Sequence, residues 1–230
     1  MPCLCLESTI IENSTLYVAG YSSGVVNLWL SSDPLVLKQT PLFSFSVRSP
    51  VENIAVNSSL LVISLDDSVL FYRLPDLLNK IEASAFSLPS PPMVSFSSAT
   101  PSTVSSIHLL ESAGRCIISY HHDNLSYSFC LIDLFTYDIV WKSSPMAGVS
   151  TTHLLRDLNI LIVAVNNGFH LFNLEKLELS DFYLVASTNN PGSKINRFLT
   201  LPQSQMIGMV LAGGMTVLDH FHLISQSFLF

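Results

Sequence analysis

Residues 16–29 read LYVAGYSSGVVNLW: an apolar run reaches a short polar turn at residues 22–24, and a second apolar run follows. The same pattern recurs four more times, with turns at residues 66–68, 121–124, 166–168 and 212–214. Two apolar runs joined by such a turn predict a β-hairpin. A spacing of about 40 to 60 residues between hairpins matches the period at which four-stranded sheets repeat in propeller architectures. The chain is therefore predicted to be a series of small antiparallel sheets.

Each repeat divides into four short strands, here named a to d, and the predicted fold class is an all-β propeller of about five four-stranded blades. Strand b is the most apolar and β-branched of the four, as expected of a strand that is buried on both faces. We expect strand d at residues 83–88 in the second repeat and at residues 223–230 in the fifth. Residues 1–230 form a single propeller domain in this interpretation, since all-β domains of this length are common.

One stretch interrupts the repeats. Residues 89–103 contain four prolines among several serines. Because proline cannot donate to a β-ladder and serine competes for backbone hydrogen bonds, this stretch is predicted to be a Ser/Pro-rich loop inserted between the second and third repeats. Residues 74–81 are compatible with a short helical turn, with Pro75 at its first position and Asp76 near its positive end.

The composition argues against two classes of function. Charged residues make up 12% of the chain, and the net charge is -7. The ten lysines and arginines are scattered, so no basic stripe is available to neutralise phosphates and nucleic-acid binding is not expected. Two charge-free windows, residues 158–174 and 200–218, are interrupted by turn-forming residues, so membrane insertion is not expected. No secretory leader is apparent, which favours an intracellular protein of the cytoplasm, with the nucleus as the alternative.

The residues that most often bind metals do not form a recognisable site. Cys3, Cys5, Cys116 and Cys130 lack the paired spacing of a zinc site, and free thiols in a reducing compartment are the expected state. The histidine-rich stretches at residues 121–123 and 220–222 do not supply three or four converging ligands. We therefore expect no metal and no cofactor.

Motifs of catalysis are also missing from the sequence. It contains no nucleophile elbow, phosphate loop or zinc-binding helix motif. Sugar-hydrolysing propellers use carboxylates on the inner strands, and here Glu7, Glu52 and Glu111 are the acids on or beside the predicted a strands. A glycoside hydrolase is the less favoured alternative. We expect no enzyme activity, no catalytic residues and no small-molecule substrate.

Residues 20–29 resemble the segment of WD-repeat propellers in which strand b turns into strand c. Gly24 permits the tight turn, and Trp29 is expected to fill the gap between neighbouring sheets. The comparable position of the next three repeats also holds an aromatic residue: Tyr72, Phe129 and Phe172. The family's closing Trp-Asp pair and its Gly-His pair are missing. The resemblance therefore implies blades that are held together by packing rather than by the family's polar tetrad.

The resemblance implies a non-catalytic scaffold for protein–protein interactions, a subunit of a protein complex that presents loops on one propeller face to partner proteins. In this topology the b–c turns share a face with the links that lead from strand d to the next strand a. The residues expected there are those of the first four turns and of one link: Ser22, Ser23, Arg48, Pro50, Asp66, Asp67, His121, His122, Asn166 and Asn167.

The number of repeats leaves two arrangements open. WD-repeat propellers usually have seven blades, whereas this chain holds about five at the observed period. It forms a small closed ring, or it is a partial propeller. In the second case it would be a subunit of a larger assembly, such as a coat, tether or regulatory complex, and another chain would complete it at an unpaired sheet edge.

Overall fold

The computed structural model describes residues 2–33, 40–66, 68–82, 91–95, 102–110, 113–122, 126–155, 158–165, 168–179, 183–184, 195–200, 206–211 and 214–219. These residues form antiparallel β-sheets and one α-helix. They divide into two compact units. The first unit consists of Met1–Asn124 with Ser128–Ser144, and the second of Leu125–Tyr127 with Pro145–Phe230.

The first unit contains three sheets among its described residues, and each runs as a meander in chain order. The first sheet consists of β1 (Cys3–Ile11), β2 (Ser14–Tyr21), β3 (Val25–Ser31) and β4 (Phe43–Ser46). The second consists of β5 (Asn53–Val56), β6 (Leu60–Ser64), β7 (Ser68–Arg73) and β8 (Met93–Ser95). The third consists of β9 (Ser102–Leu110), β10 (Arg115–His122), β11 (Ser126–Asp133) and β12 (Ile139–Lys142).

The second unit continues the same pattern. The first two residues of β11 belong to it and pair with β13 (Met146–Ala147). The fourth sheet consists of β14 (Val149–Leu155), β15 (Ile160–Val165) and β16 (Gly168–Asn173), and β16 pairs with both β17 (Glu178–Leu179) and β18 (Tyr183–Leu184). The fifth consists of β19 (Ile195–Thr200), β20 (Met206–Leu211) and β21 (Gly214–Asp219). One apolar cluster joins these two sheets through residues such as Ile162 and Phe198.

Apolar side chains between neighbouring sheets form the core of the first unit. One cluster, which includes Leu28 and Leu61, lies between the first and second sheets. Another, which includes Val62 and Ile118, lies between the second and third sheets. Leu61 and Val62 belong to different clusters because successive strand residues point to opposite faces of the sheet. Strand β6 is buried along nearly its whole length, as predicted for strand b.

The aromatic residues predicted for strand c are buried: Tyr72, Phe129 and Phe172 as well as Trp29. Tyr72 faces the first sheet, and its ring centroid lies 5.5 Å from that of Phe45. Trp29 pairs with Tyr17, whereas its neighbour Leu28 faces the second sheet. The Trp29 side chain therefore lies on the face of the first sheet that points away from the second.

The connection between β7 and β8 contains a helix, α1 (Leu74–Glu82). Pro75 lies in its first turn, where a missing backbone N–H costs nothing, and Asp76 lies 3.8 Å from Arg73. The helix is longer than the short turn that the sequence indicated. It is held against the first core by Leu74 and Leu77, which are fully buried.

The Ser/Pro-rich stretch differs from its prediction as a loop throughout. It contains β8, whose residues Val94 and Met93 pair with Val69 and Leu70 of β7, and the first residues of β9. The fourth strand of the second sheet is thus β8. The segments 83–88 and 223–230, which we predicted as strands d, lie outside the described residues.

Candidate functional site

The turn between β2 and β3 is tied to the link between the first and second sheets, residues 47–52. The amide of Val47 donates to the Gly24 carbonyl at 2.8 Å, and the amide of Val51 donates to the Tyr21 carbonyl at 3.2 Å. Gly24 has a φ of 79°, a value that favours glycine. A Cβ at this position would lie 2.6 Å from the Val47 carbonyl oxygen. The turn therefore rests directly on the link.

Arg48 connects this link to the second sheet. Its Nη2 donates to Ser68 Oγ at 3.0 Å, and Ser68 is fully buried at the start of β7. The Ser68 carbonyl accepts a hydrogen bond of 2.8 Å from the Leu65 amide, which closes the turn that carries Asp66. Arg48 and Asp66 are both exposed. The first two sheets therefore present their turn and their link at the same end.

Glu52, Asp66 and His121 form an electrostatic group at this end. Burial raises the pKa of Glu52 above its ordinary value, and the neighbouring Asp66 carboxylate raises it further, whereas His121 acts in the opposite direction. The Nδ1 atom of His121 lies 3.0 Å from Thr103 Oγ1, close to the start of β9. The third sheet therefore contributes to the same end of the first unit as the other two.

We name this surface the loop face and define it by the predicted residues Ser22, Ser23, Arg48, Pro50, Asp66 and His121, together with Glu52. Within it, Ser23, Arg48, Pro50 and Asp66 are exposed, and the others are partly buried. Sequence reasoning did not place Glu52, Ser68 or Thr103 here. A signal was available for Glu52, because a residue at the start of a strand a lies at the same end as the b–c turns.

His122 is not available at the loop face, although the sequence placed it there. Both predicted turn histidines are strand residues, because β10 continues to His122. Alternation along the strand points His121 and His122 to opposite faces. His122 is buried, with its Nε2 3.0 Å from Ser128 Oγ and its ring edge-on to Tyr120. The remaining predicted residues, Asp67, Asn166 and Asn167, lie outside the described part of the chain.

A groove of about 620 Å³ lies in the first unit, at the ends of β6 and β7 that are opposite to the loop face. Its lining is mostly apolar and aromatic, with Phe71, Tyr72, Pro92 and Phe135 among the residues that form it. The charged residues in the lining are Arg73 and Asp76 of the β7–α1 junction. Burial raises the pKa of Tyr72 above its ordinary value, so its phenol stays protonated at neutral pH. The groove thus offers a surface for contact and one exposed ion pair.

The four cysteines are free. Burial raises the pKa of Cys5 to about 11 and that of Cys130 to about 12. It also holds the pKa of Cys116 well above the ordinary thiol range, with a further contribution from the neighbouring Cys130. These three thiols are protonated at neutral pH, whereas nucleophiles and metal ligands are thiolates.

Two further observations concern sites that the sequence argued against. Among the described residues, no three side chains of histidine, cysteine, aspartate or glutamate come close enough together to hold a metal ion. The described helix is too short to cross a lipid bilayer.

Comparisons with known proteins identify the fold. No protein-family model and no curated sequence matches the chain. Raptor from Chaetomium thermophilum superposes on 92% of the chain with a TM-score of 0.67 and 12% identity, and the match covers 19% of that protein. Hsv2 from Kluyvelomyces marxianus superposes on 90% with a TM-score of 0.57 and 13% identity, and the match covers 56% of it.

Two other solved structures extend the comparison. A chain of the mitotic checkpoint complex superposes on 89% of this chain with a TM-score of 0.63 and 12% identity, and 57% of it is covered. A chain of hydrazine synthase from Kuenenia stuttgartiensis superposes on 96% with a TM-score of 0.71 and 9% identity, and 66% of it is covered. The chain thus spans less than two thirds of the length of each. Raptor, Hsv2 and the checkpoint chain are WD40 propellers, and the likeness shows that this chain has an all-β, propeller-type fold.

Proposed function

We propose that the protein is a non-catalytic scaffold for protein–protein interactions of the WD-repeat type, which presents the loop face to partner proteins in the cytoplasm or nucleus. The observation that carries this proposal is the convergence of turns and links from three successive sheets at one end of the first unit. Arg48 connects the first link to Ser68 of the second sheet, and Glu52 lies near both Asp66 and His121. The structural neighbours that belong to multiprotein complexes support the same class of function.

The loop face is held in place by hydrogen bonds within the first unit. Gly24 and Val51 bond to the backbone of neighbouring elements, and Asn53 Nδ2 donates to the Val104 carbonyl of β9 at 2.7 Å. Ordering flexible loops at an interface lowers the affinity of binding. Because these bonds already fix the turns and links, a partner would bind a surface whose backbone needs little further ordering.

The charges of the loop face indicate what the partner presents. Burial and the Asp66 carboxylate both raise the pKa of Glu52, so these two acids repel each other when both are ionised. A lysine or arginine of the partner placed beside them would relieve this repulsion. Arg48 is exposed on the same face and donates to Ser68 Oγ. We expect a partner with a basic side chain opposite Glu52 and Asp66.

The test is a quantitative affinity purification that compares three forms of the tagged protein. The double variant Arg48→Glu/Asp66→Lys reverses two charges of the loop face. The matched control Arg73→Glu/Asp76→Lys makes the same changes at the β7–α1 junction, where both side chains are well exposed. We expect the loop-face variant to lose its specific partners and the control to retain them. Recovery of chaperones alone, or of the same partners by all three forms, would contradict the proposal.

A second candidate function is that of a partial propeller within a larger assembly, completed by another chain. The observation that favours it is that strand β1 of the first sheet exposes apolar side chains, Leu6 to 60% and Ile10 to 72%, which another chain could cover. The native mass of the protein in a cell extract, measured by native gel electrophoresis with immunodetection, tests this candidate. A stable complex larger than the chain alone supports it, and migration as a single chain contradicts it.

A further inference from the structure

We infer that the groove at the ends of β6 and β7 is a docking site for a proline-rich segment of a partner protein, whose proline rings lie against the aromatic side chains of the groove. The described residues that line it all belong to the first unit. The groove lies at the opposite end of that unit from the loop face. It is therefore a second interaction surface, and it does not depend on the function proposed for the loop face.

Phe135 presents an exposed and ordered aromatic ring to the groove. At 84% it is the most exposed large hydrophobic side chain in the described part of the chain. The backbone N–H of Phe135 donates to Asp133 Oδ1 at 2.8 Å, and that of Tyr137 donates to the Asp133 carbonyl at 2.8 Å. A Cβ at Gly114 would lie 2.6 Å from Phe135 Cε2, so one edge of the ring packs against this glycine. Binding to a ring that is already ordered loses little side-chain freedom.

Two further aromatic rings in the groove are anchored in the core. Tyr137 has a φ of 62°, a conformation that is uncommon for a bulky residue. In this conformation its ring centroid lies 5.2 Å from that of Phe71, which is fully buried between the second and third sheets. The groove thus combines an anchored aromatic pair with the exposed ring of Phe135. Grooves lined by aromatic side chains are the surfaces on which proline-rich segments dock.

The prolines of the lining favour recognition through rings over the addition of a β-strand. The lining contains Pro75, Pro91 and Pro92. Proline has no backbone N–H to donate to an added strand, and the Pro92 carbonyl already accepts a hydrogen bond of 3.0 Å from the Phe71 N–H. A polyproline II segment needs no ladder of backbone hydrogen bonds, because its own backbone is fully solvated. Such a segment therefore suits this wall better than an extended strand.

The charge of the groove fits an uncharged segment. The described lining contains one positive residue, Arg73, and one negative residue, Asp76, so it carries no net charge in a chain whose net charge is -7. Exchanging these two charges, as in the control of the loop-face test, keeps the lining neutral. A strongly charged segment would find no excess of opposite charge here, whereas a run of prolines is uncharged.

The size of the groove fits a segment of several residues. Its volume is about 620 Å³, and a cavity of ~150 Å³ holds one benzene molecule, so about four ring-sized groups find room. A single inserted side chain would leave most of this space unfilled. Consecutive proline rings would fill it, and a polyproline II segment has its conformation before it binds, which lowers the entropy lost on binding.

The test is fluorescence anisotropy of fluorescein-labelled decaproline, titrated with the purified protein up to about 500 µM because a small interface binds weakly. The control probe is a Gly-Ser peptide of the same length and label, which is equally uncharged but flexible and without rings. We expect saturable binding of decaproline alone. Phe135→Ser should weaken it about tenfold or more. The matched variant Val140→Ser should not, because Val140 is 51% exposed on the neighbouring β12 and lies outside the lining.

Circular dichroism spectra that match the unmodified protein would establish that both variants are folded. The inference would be overturned if decaproline showed no saturable binding, if the Gly-Ser peptide bound equally well, or if Phe135→Ser left the affinity unchanged. Tighter binding of an amphipathic helical peptide than of decaproline would also overturn it, and would indicate a helix as the partner. The loop-face proposal is judged separately, by the partners recovered in the affinity purification.

Discussion

The neighbours of Gly20 in strand β2 leave no room for a side chain. A substitution at this position therefore tests how the first sheet packs against the link at residues 47–52. A Cβ at Gly20 would overlap Val51 Cγ1 and would lie 2.8 Å from both Val51 Cβ and Cys5 Sγ. Val51 is fully buried in the core between the first two sheets. We expect Gly20→Ala to lower the free energy of unfolding by about 1–3 kcal/mol, the usual cost of overpacking a core.

A second substitution, at Val51, tests whether contact with this residue causes the loss of stability in Gly20→Ala. Val51→Ala removes two buried carbon atoms and should cost about 1.6 kcal/mol at ~0.8 kcal/mol per group, with a cavity contribution in addition. In the double variant Gly20→Ala/Val51→Ala, the deleted methyl groups leave room for the new Cβ. The combined loss should therefore fall short of the sum of the single losses by about 1 kcal/mol, since residues in contact are coupled. The relief is partial because the Cβ of residue 51 remains close.

Urea denaturation, followed by circular dichroism and by tryptophan fluorescence, measures the free energy of unfolding of the unmodified protein, the two single variants and the double variant. Val25→Ala combined with Gly20→Ala is the control, because Val25 is a partly buried valine on the neighbouring strand β3 and supplies none of the three atoms nearest to a Cβ at residue 20. Its combination should be additive. Additivity within about 0.5 kcal/mol for the Val51 pair as well, or no loss in Gly20→Ala alone, would refute this account of the packing.

Three further predictions concern single residues. Gly24→Ala should lower the free energy of unfolding by about 1–2 kcal/mol in the same urea assay, because an L-residue is strained at positive φ and its Cβ would meet the Val47 carbonyl; an unchanged midpoint would contradict the turn geometry. At neutral pH a thiol reagent should modify the exposed Cys3 quickly in the folded protein, whereas the buried Cys116 and Cys130 should react only after the protein has unfolded. Mass spectrometry of the labelled peptides measures the extent of modification at each cysteine. Glu52→Gln should stabilise the protein at neutral pH and lose this effect in acid. The pKa of Glu52 is higher in the folded protein than in the unfolded chain, so the native state binds the proton more tightly. The stability that Glu52 contributes therefore falls as the pH rises through the interval between the unfolded and the folded pKa. A gain in stability that does not depend on pH would contradict this prediction.

The hairpins of this protein were predictable from the sequence because their determinants are local. Residues 16–29 predicted two strands around a turn, and β2 and β3 pair as expected around Gly24, whose φ is 79°. The turn residue, the length of each apolar run and the alternation along it are all contained within about 14 residues of sequence. The five-sheet pattern followed by repetition of the same local signal.

Features that depend on distant parts of the chain were harder to predict. Strand β8 pairs with β7 across α1 and a segment rich in serine and proline, as in the pair Leu70 and Met93. Nothing near Met93 in the sequence specifies that partner. For the same reason, only part of the candidate site could be predicted. The turns carrying Ser22 and Asp66 could be predicted, whereas the position of Glu52 beside Asp66 and the burial of His122 depend on how neighbouring sheets pack.

Buried serines form hydrogen bonds between neighbouring strands inside the sheets of the first unit. Ser64 of β6 is fully buried, and its Oγ accepts a hydrogen bond of 2.8 Å from the backbone N–H of Asn53 in β5. Ser119 of β10 is also buried, and its Oγ lies 2.8 Å from Ser105 Oγ of β9. In both sheets a serine on strand b bonds to strand a inside an otherwise apolar core. Because a buried hydroxyl without a partner costs about 1–3 kcal/mol, these bonds favour one register of the two strands. The expectation that packing alone holds the blades is therefore incomplete, and hydrogen bonds within each sheet supply part of the specificity.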